Sequence, residues 1–96
     1  MNPLNSLAST VTEAGTYAHL SASGLVKAGP GILTGVLCSS SSSGTMKVWE
    51  ALTATGLYIQ NTMPLVAGQF YPMLTRFDVG VYITLAGTCE ITVFYA

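Results

Sequence analysis

Gly31-Ile-Leu-Thr-Gly-Val-Leu-Cys-Ser39, the serine run Ser40 to Gly44, and Thr45-Met-Lys-Val-Trp-Glu-Ala51 decide the fold class. Two segments rich in Ile, Val, Leu and Trp flank a run of small turn formers closed by a glycine. That pattern predicts a β-hairpin, with Gly44 free to take a positive φ. Serine runs also occur in flexible linkers, but this one is short and has strand-patterned sequence on both sides. In the first segment Ile32, Thr34, Val36 and Cys38 alternate with Leu33, Gly35 and Leu37. Both sets are largely apolar, as in a central strand covered on two sides. Gly35 marks a bulge or a close neighbour. In the second segment Met46 and Val48 face one way, Lys47 and Trp49 the other.

Outward from this stretch the β pattern continues. Thr16-Tyr-Ala-His-Leu20 reads as a short first strand, Ser21 to Gly24 as a turn, and Leu25-Val-Lys27 as the start of the next strand. Ala28-Gly29-Pro30-Gly31 is the strongest breaker in the chain. Leu57, Ile59, Asn61 and Met63 alternate with Tyr58, Gln60 and Thr62. Gln69-Phe-Tyr-Pro-Met73 is a short strand that Pro72 confines to an edge or bulge. Arg76 and Asp78 fall on one face of any strand there. Val79 to Leu85 and Thr88 to Tyr95 form the last two strands, joined at Ala86-Gly87 as a tight hairpin. Cys89, Ile91, Val93 and Tyr95 face one side, and Glu90, Thr92 and Phe94 the other. About eight short strands at intervals of roughly 8–12 residues predict an all-β fold: an antiparallel two-sheet β-sandwich of jelly-roll or Greek-key type.

Residues 1–14 differ from the domain predicted for residues 15–96. Leu4, Leu7, Ala8 and Val11 recur at helical spacing, and Asn2-Pro3 could start a turn. Ser6, Ser9, Thr10 and Thr12 are mediocre helix formers, and a short isolated helix is marginal in water. The segment reads as an arm that orders when it packs on something, with Leu4, Leu7 and Val11 as its partner-binding side chains. A frayed terminus is the plain alternative.

Half of the 96 residues are hydrophobic, while only three are basic and four acidic. An average soluble chain is about 25% charged. Threonine and serine fill the polar positions instead, and a net charge of −1 does little to keep copies apart. A neutral Ser/Thr-covered monomer would explain this; burial of the surface against other chains explains it better, because so small a domain cannot hide that many apolar residues. Three dispersed basic residues make no footprint for nucleic acid. No run approaches the roughly 20 apolar residues of a membrane helix, and Met1-Asn-Pro-Leu-Asn-Ser-Leu7 lacks the form of a secretory signal. The expectation is a soluble protein made in a cytoplasm.

The residues offer little chemistry. Cys38 and Cys89 sit in apolar alternating runs, where a free thiol behaves as a small hydrophobe; a single bridge is the other possibility. Two cysteines and the lone His19 do not make a metal set, so neither a metal nor another cofactor is expected. The serine run is no nucleophile elbow, and Glu50 with Glu90 is weak evidence for a glycosidase pair. No enzyme is expected and no catalytic residue is assigned. Trp49, Tyr58, Tyr71, Tyr82 and Tyr95 could make a sugar-stacking platform, though in a sandwich such rings more often pack on sheet faces.

Lys27-Ala-Gly-Pro-Gly-Ile-Leu-Thr-Gly-Val-Leu37, Ser43-Gly-Thr-Met-Lys-Val-Trp-Glu50 and Gly87-Thr-Cys-Glu-Ile-Thr-Val-Phe-Tyr95 together resemble small virion-associated proteins of tailed bacteriophages. The resemblance covers about residues 25–95 and leaves the arm outside. It implies a β-sandwich decoration or cement protein, commonly a homotrimer, seated on the virion where major capsid protein subunits meet. A carbohydrate- or receptor-binding module of a head fibre or tail tip is the second expectation.

Overall fold

The computed structural model describes residues 16–96. Six strands follow one another: β1 (Thr16–Leu20), β2 (Gly24–Ala28), β3 (Gly31–Trp49), β4 (Tyr58–Pro64), β5 (Phe70–Phe77) and β6 (Gly80–Tyr95). The all-β antiparallel expectation holds among the described residues. The strand count does not: two pairs of expected short strands are fused. The serine run does not turn the chain into a hairpin but lies inside the 19-residue β3, and Ala86-Gly87 lies inside the 16-residue β6.

The six strands make one sheet, with path order β1-β6-β3-β4, β2 added beside β6 and β5 beside β3. Hydrogen bonding is therefore continuous, where two separate sheets were expected. β3 and β6 are the spine, paired from Leu33↔Tyr95 to Trp49↔Tyr82. Along β6 lie β1, against Ile91–Tyr95, and β2, against Gly80–Ile83. Along β3 lie β5, against Gly31–Leu37, and β4, against Thr45–Trp49. The spine thus carries two four-stranded stretches end to end, β5-β3-β6-β1 and β4-β3-β6-β2.

These stretches cannot lie flat. A straight strand of 16 residues would be about 50 Å long. Yet Gly29 donates to the Val79 carbonyl at 2.9 Å, and Ile32, three residues on, donates to the Ala96 carbonyl at 3.0 Å. Three residues span at most about 10 Å, so the two ends of β6 come together. β3 does the same. Phe77 pairs with Gly31 at its start, while Asp78 donates its N–H to the Glu50 carboxylate, just past its end, at 3.1 Å. Both long strands double back at their middles.

The bend falls where turn formers had marked a break. Register shifts bracket it on β3, between Cys38 and Ser40 and between Ser42 and Thr45. Ser43 has φ 63°, the only non-glycine positive φ among the described residues, and Gly87 across from it has φ 77°. Strands change direction out of the sheet plane at such bulges. One serine hydroxyl satisfies part of the freed backbone: Gly44 N–H donates to Ser41 Oγ at 3.1 Å.

One apolar core collects from both stretches: Leu33, Val36, Cys38, Ile91 and Val93 from one, Met46, Val48, Val81 and Ile83 from the other, with Phe77 and Leu65. Leu33 joins Val36 and Cys38 inside because a bulge between Leu33 and Gly35 reverses the expected alternation. Met46 and Val48 share one face, as the alternation predicts, and the structure makes it the inward one; Cys89, Ile91 and Val93 likewise point inward.

Candidate interaction surface

The outward sides of the doubled sheet carry two cross-strand rows. On β5-β3-β6-β1, Tyr17 is the register partner of Phe94, and Phe94 is the partner of Gly35. A Cβ on Gly35 would strike the Phe70 ring, so the absent side chain lets Phe70 lie across β3. Its ring then reaches Phe94, centroid to centroid 6.2 Å, tilted by 58°. Ile32 and Leu74 extend the strip. Tyr17 is 64% exposed, Leu74 81%, and Phe70 and Ile32 46% each.

On β4-β3-β6-β2 the row is Leu25, Tyr82, Trp49 and Tyr58, again by register. Here polar groups dress the rings. Trp49 Nε1–H donates to Thr84 Oγ1 at 2.8 Å, and the Trp49 and Tyr58 rings meet edge to face at 6.3 Å. The Lys47 ammonium sits 4.1 Å from the Trp49 ring centre and 4.4 Å from that of Tyr58, a cation–π arrangement on both. This row is internally satisfied; the Tyr17–Phe94–Phe70 row is not.

The suggested sugar platform is accordingly divided. Trp49, Tyr58 and Tyr82 share a face, whereas Tyr71 packs against the core and accepts a hydrogen bond from Val66 N–H at 2.8 Å. Tyr95 lies opposite Thr16 and Leu33 at the end of β6.

Titratable side chains are scattered. His19 is exposed, with Nδ1 3.3 Å from Thr92 Oγ1 and Nε2 3.9 Å from Glu90. Glu90 pairs with Ser40 at the bend, while Glu50 accepts from Asp78 where the strand ends meet, so the structure does not bring these carboxylates together. Arg76 and Asp78 approach to 3.9 Å in solvent, where such a pair contributes little. Among the described residues no three His, Cys, Asp or Glu side chains cluster, and no helix is long and apolar enough to cross a membrane.

Cys38 and Cys89 are free, buried thiols. Burial pushes both above the ordinary thiol range, and the neighbouring Cys89 raises Cys38 further. Cys38 donates to the Ser40 carbonyl at 3.3 Å.

Leu4, Leu7 and Val11 lie outside the described residues. Sequence reading passed over Tyr17, Phe70 and Phe94 as a group. The signal available was Gly35, flagged for a close neighbour, which is the Phe70 ring. No family model, characterised protein or solved structure matches the chain.

Proposed function

We propose that this chain is a structural subunit of a larger assembly: a decoration or cement protein of a tailed-phage capsid, acting as a homotrimer on the outer surface where major capsid protein subunits meet. The observation that carries this reading is the surface itself. Tyr17, Phe94 and Phe70 form one outward row by register and ring contact, with Tyr17 64% and Phe70 46% exposed, on a chain with seven charged residues, and apolar surface of this kind marks contact sites. The resemblance of residues 25–95 to virion β-sandwich proteins supplies the capsid as the partner. In this reading the doubled sheet acts as a two-layer sandwich made in one piece, rigid because its spine strands run through both layers. Its role is passive, tying subunits together at many equivalent sites, with the segment bearing Leu4, Leu7 and Val11 ordering against a neighbour.

The test is to add the purified chain to capsids assembled from the major capsid protein encoded in the same genome. Saturable binding at hundreds of copies per particle, with a higher temperature of capsid rupture, is the expected result. Binding at a few copies only, or binding to glycans instead of capsids, would replace the decoration role by the fibre-module role. No binding to capsids would overturn the reading.

A further inference from the structure

Ring faces hold the Lys47 ammonium, 4.1 Å from the Trp49 ring centre and 4.4 Å from that of Tyr58. Such contacts orient a cation without neutralising it. The nearest carboxylate along the chain, Glu50, is turned to the Asp78 N–H, which donates to it at 3.1 Å. Lys47 is the register partner of Thr84, whose Oγ1 accepts from Trp49 Nε1–H at 2.8 Å. That bond uses a lone pair of the hydroxyl and leaves its proton to donate. An ammonium and a hydroxyl donor thus stand on neighbouring strands, both fixed by contacts within the row.

We propose that this face binds an acidic saccharide, its carboxylate on Lys47 and Thr84 and its apolar C–H faces on the flanking Tyr82 and Tyr58. Charge complementarity selects the acid. Leu25, Tyr82, Trp49 and Tyr58 make an uncharged row, and Lys47 gives it a fixed positive point. The rings select the saccharide. Tyr82, Trp49 and Tyr58 sit on three adjacent strands and span about 10 Å, the width of two pyranose rings. Tyr58, 52% exposed, and Tyr82 carry phenolic hydroxyls that can donate to or accept from sugar hydroxyls. A ring with a polar tip suits a ligand that is apolar on one side and wet on the other. Because Lys47 is already held in place, little side-chain freedom is lost on binding. The sugar platform expected from the aromatic residues thus keeps three of its rings and gains a cation.

The site does not depend on the capsid role. A decoration protein can hold an acidic glycan on this face while it binds capsid elsewhere. Glycan binding in place of capsid binding remains the mark of a fibre module.

Trp49 is the only tryptophan, so its fluorescence reports this face alone. The full chain is titrated with sodium glucuronate and, at matched ionic strength, with glucose, sodium acetate and a tetraglutamate peptide. Glucuronate should give a saturable change, and the other three none at the same concentrations. Lys47→Met keeps the stem and should weaken glucuronate binding about tenfold or more, the effect of losing one charge-assisted contact. Lys47→Arg should retain it. Tyr82→Ala leaves Lys47 in place and should weaken binding as well. No saturable change with glucuronate overturns the proposal. So does wild-type affinity in Lys47→Met or in Tyr82→Ala. Equal binding of glucose would remove the carboxylate from the argument, and equal binding of acetate would remove the sugar; either overturns it. Preference for tetraglutamate would assign the face to an acidic protein segment instead. Capsid binding enters none of these readouts, so failure here leaves the decoration role separately testable.

Discussion

Lys27 Nζ donates to the Ala96 carbonyl oxygen at 3.3 Å, although Lys27 pairs with Val81 at the start of β6 and Ala96 follows its end. One side chain thus spans the two ends of a 16-residue strand. The contact exists only because the strand doubles back, bringing the two ends of β6 within reach of one side chain. Lys27→Met keeps the stem and removes the donor. Loss of one partly buried, charge-assisted hydrogen bond should cost about 1–2 kcal/mol. Urea unfolding should show a lower midpoint with an unchanged slope, since the surface exposed on unfolding is the same. A midpoint equal to wild type would mean the contact contributes nothing to stability.

Gly35 is required by Phe70. A Cβ there meets the Phe70 ring and also the Tyr71 carbonyl oxygen at 2.9 Å. Gly35→Ala should therefore destabilise by about 1–3 kcal/mol, the range for forcing extra atoms into a packed site. Phe70→Ala removes the ring but not the carbonyl, so the double variant should recover part of that cost. The non-additivity is read from a double-mutant cycle on unfolding free energies. Strict additivity would show that the ring does not occupy the space above Gly35.

The bend makes a prediction of its own. Ser43 adopts a left-handed backbone conformation, and a Cβ on Gly87 would strike the Ser43 carbonyl oxygen. Ser43→Gly should change stability by no more than about 0.5 kcal/mol, because relief at positive φ is offset by a freer unfolded chain. Ser43→Val places a β-branched residue at positive φ and should cost about 1–3 kcal/mol. Gly87→Ala should be at least as harmful as Ser43→Val. Thermal melts of the three variants check the order Gly at 43, Val at 43, Ala at 87.

Much of this architecture was legible, and the limits have a physical cause. Alternation in Met46–Trp49 and Cys89–Val93 separates the two faces as the structure has them, because successive side chains of a strand point to opposite sides. The breakers were also real. Ser39–Gly44 and Ala86–Gly87 are where the chain changes direction, and Ala28–Gly31 is where it passes from one stretch to the other. The sense of the turn was misread. A hairpin and an out-of-plane bend both call for small residues and positive φ, and only pairing partners distinguish them. Ser42 faces Thr88 on the distant β6, not a residue of its own segment. The Leu33–Gly35 bulge hid Leu33 in the same way, since one inserted residue inverts a period of two. The row Tyr17–Phe94–Phe70 joins three strands far apart in sequence, so no local pattern announces it.

Cys38 and Cys89 link the core to pH. Both thiols are raised by burial, and Cys38 additionally by its neighbour. A group whose folded value lies above its unfolded value contributes stability that is fully present below the unfolded thiol value. That contribution is lost as pH rises through the folded one, because the unfolded chain releases its proton first. Stability from this source should thus be flat through neutral pH and fall above about pH 9. The measurement is a difference that isolates the two thiols: unfolding free energy at pH 7 and pH 10 for wild type and for Cys38→Ala with Cys89→Ala. The double variant should be less stable at pH 7, from the lost sulfur packing, and should lose less on going to pH 10. At pH 8 the native thiols should react with a disulfide reagent only at the rate of opening, slowly without urea and at once in it. A fast native reaction would show that the core between the two stretches is open at Cys38 and Cys89.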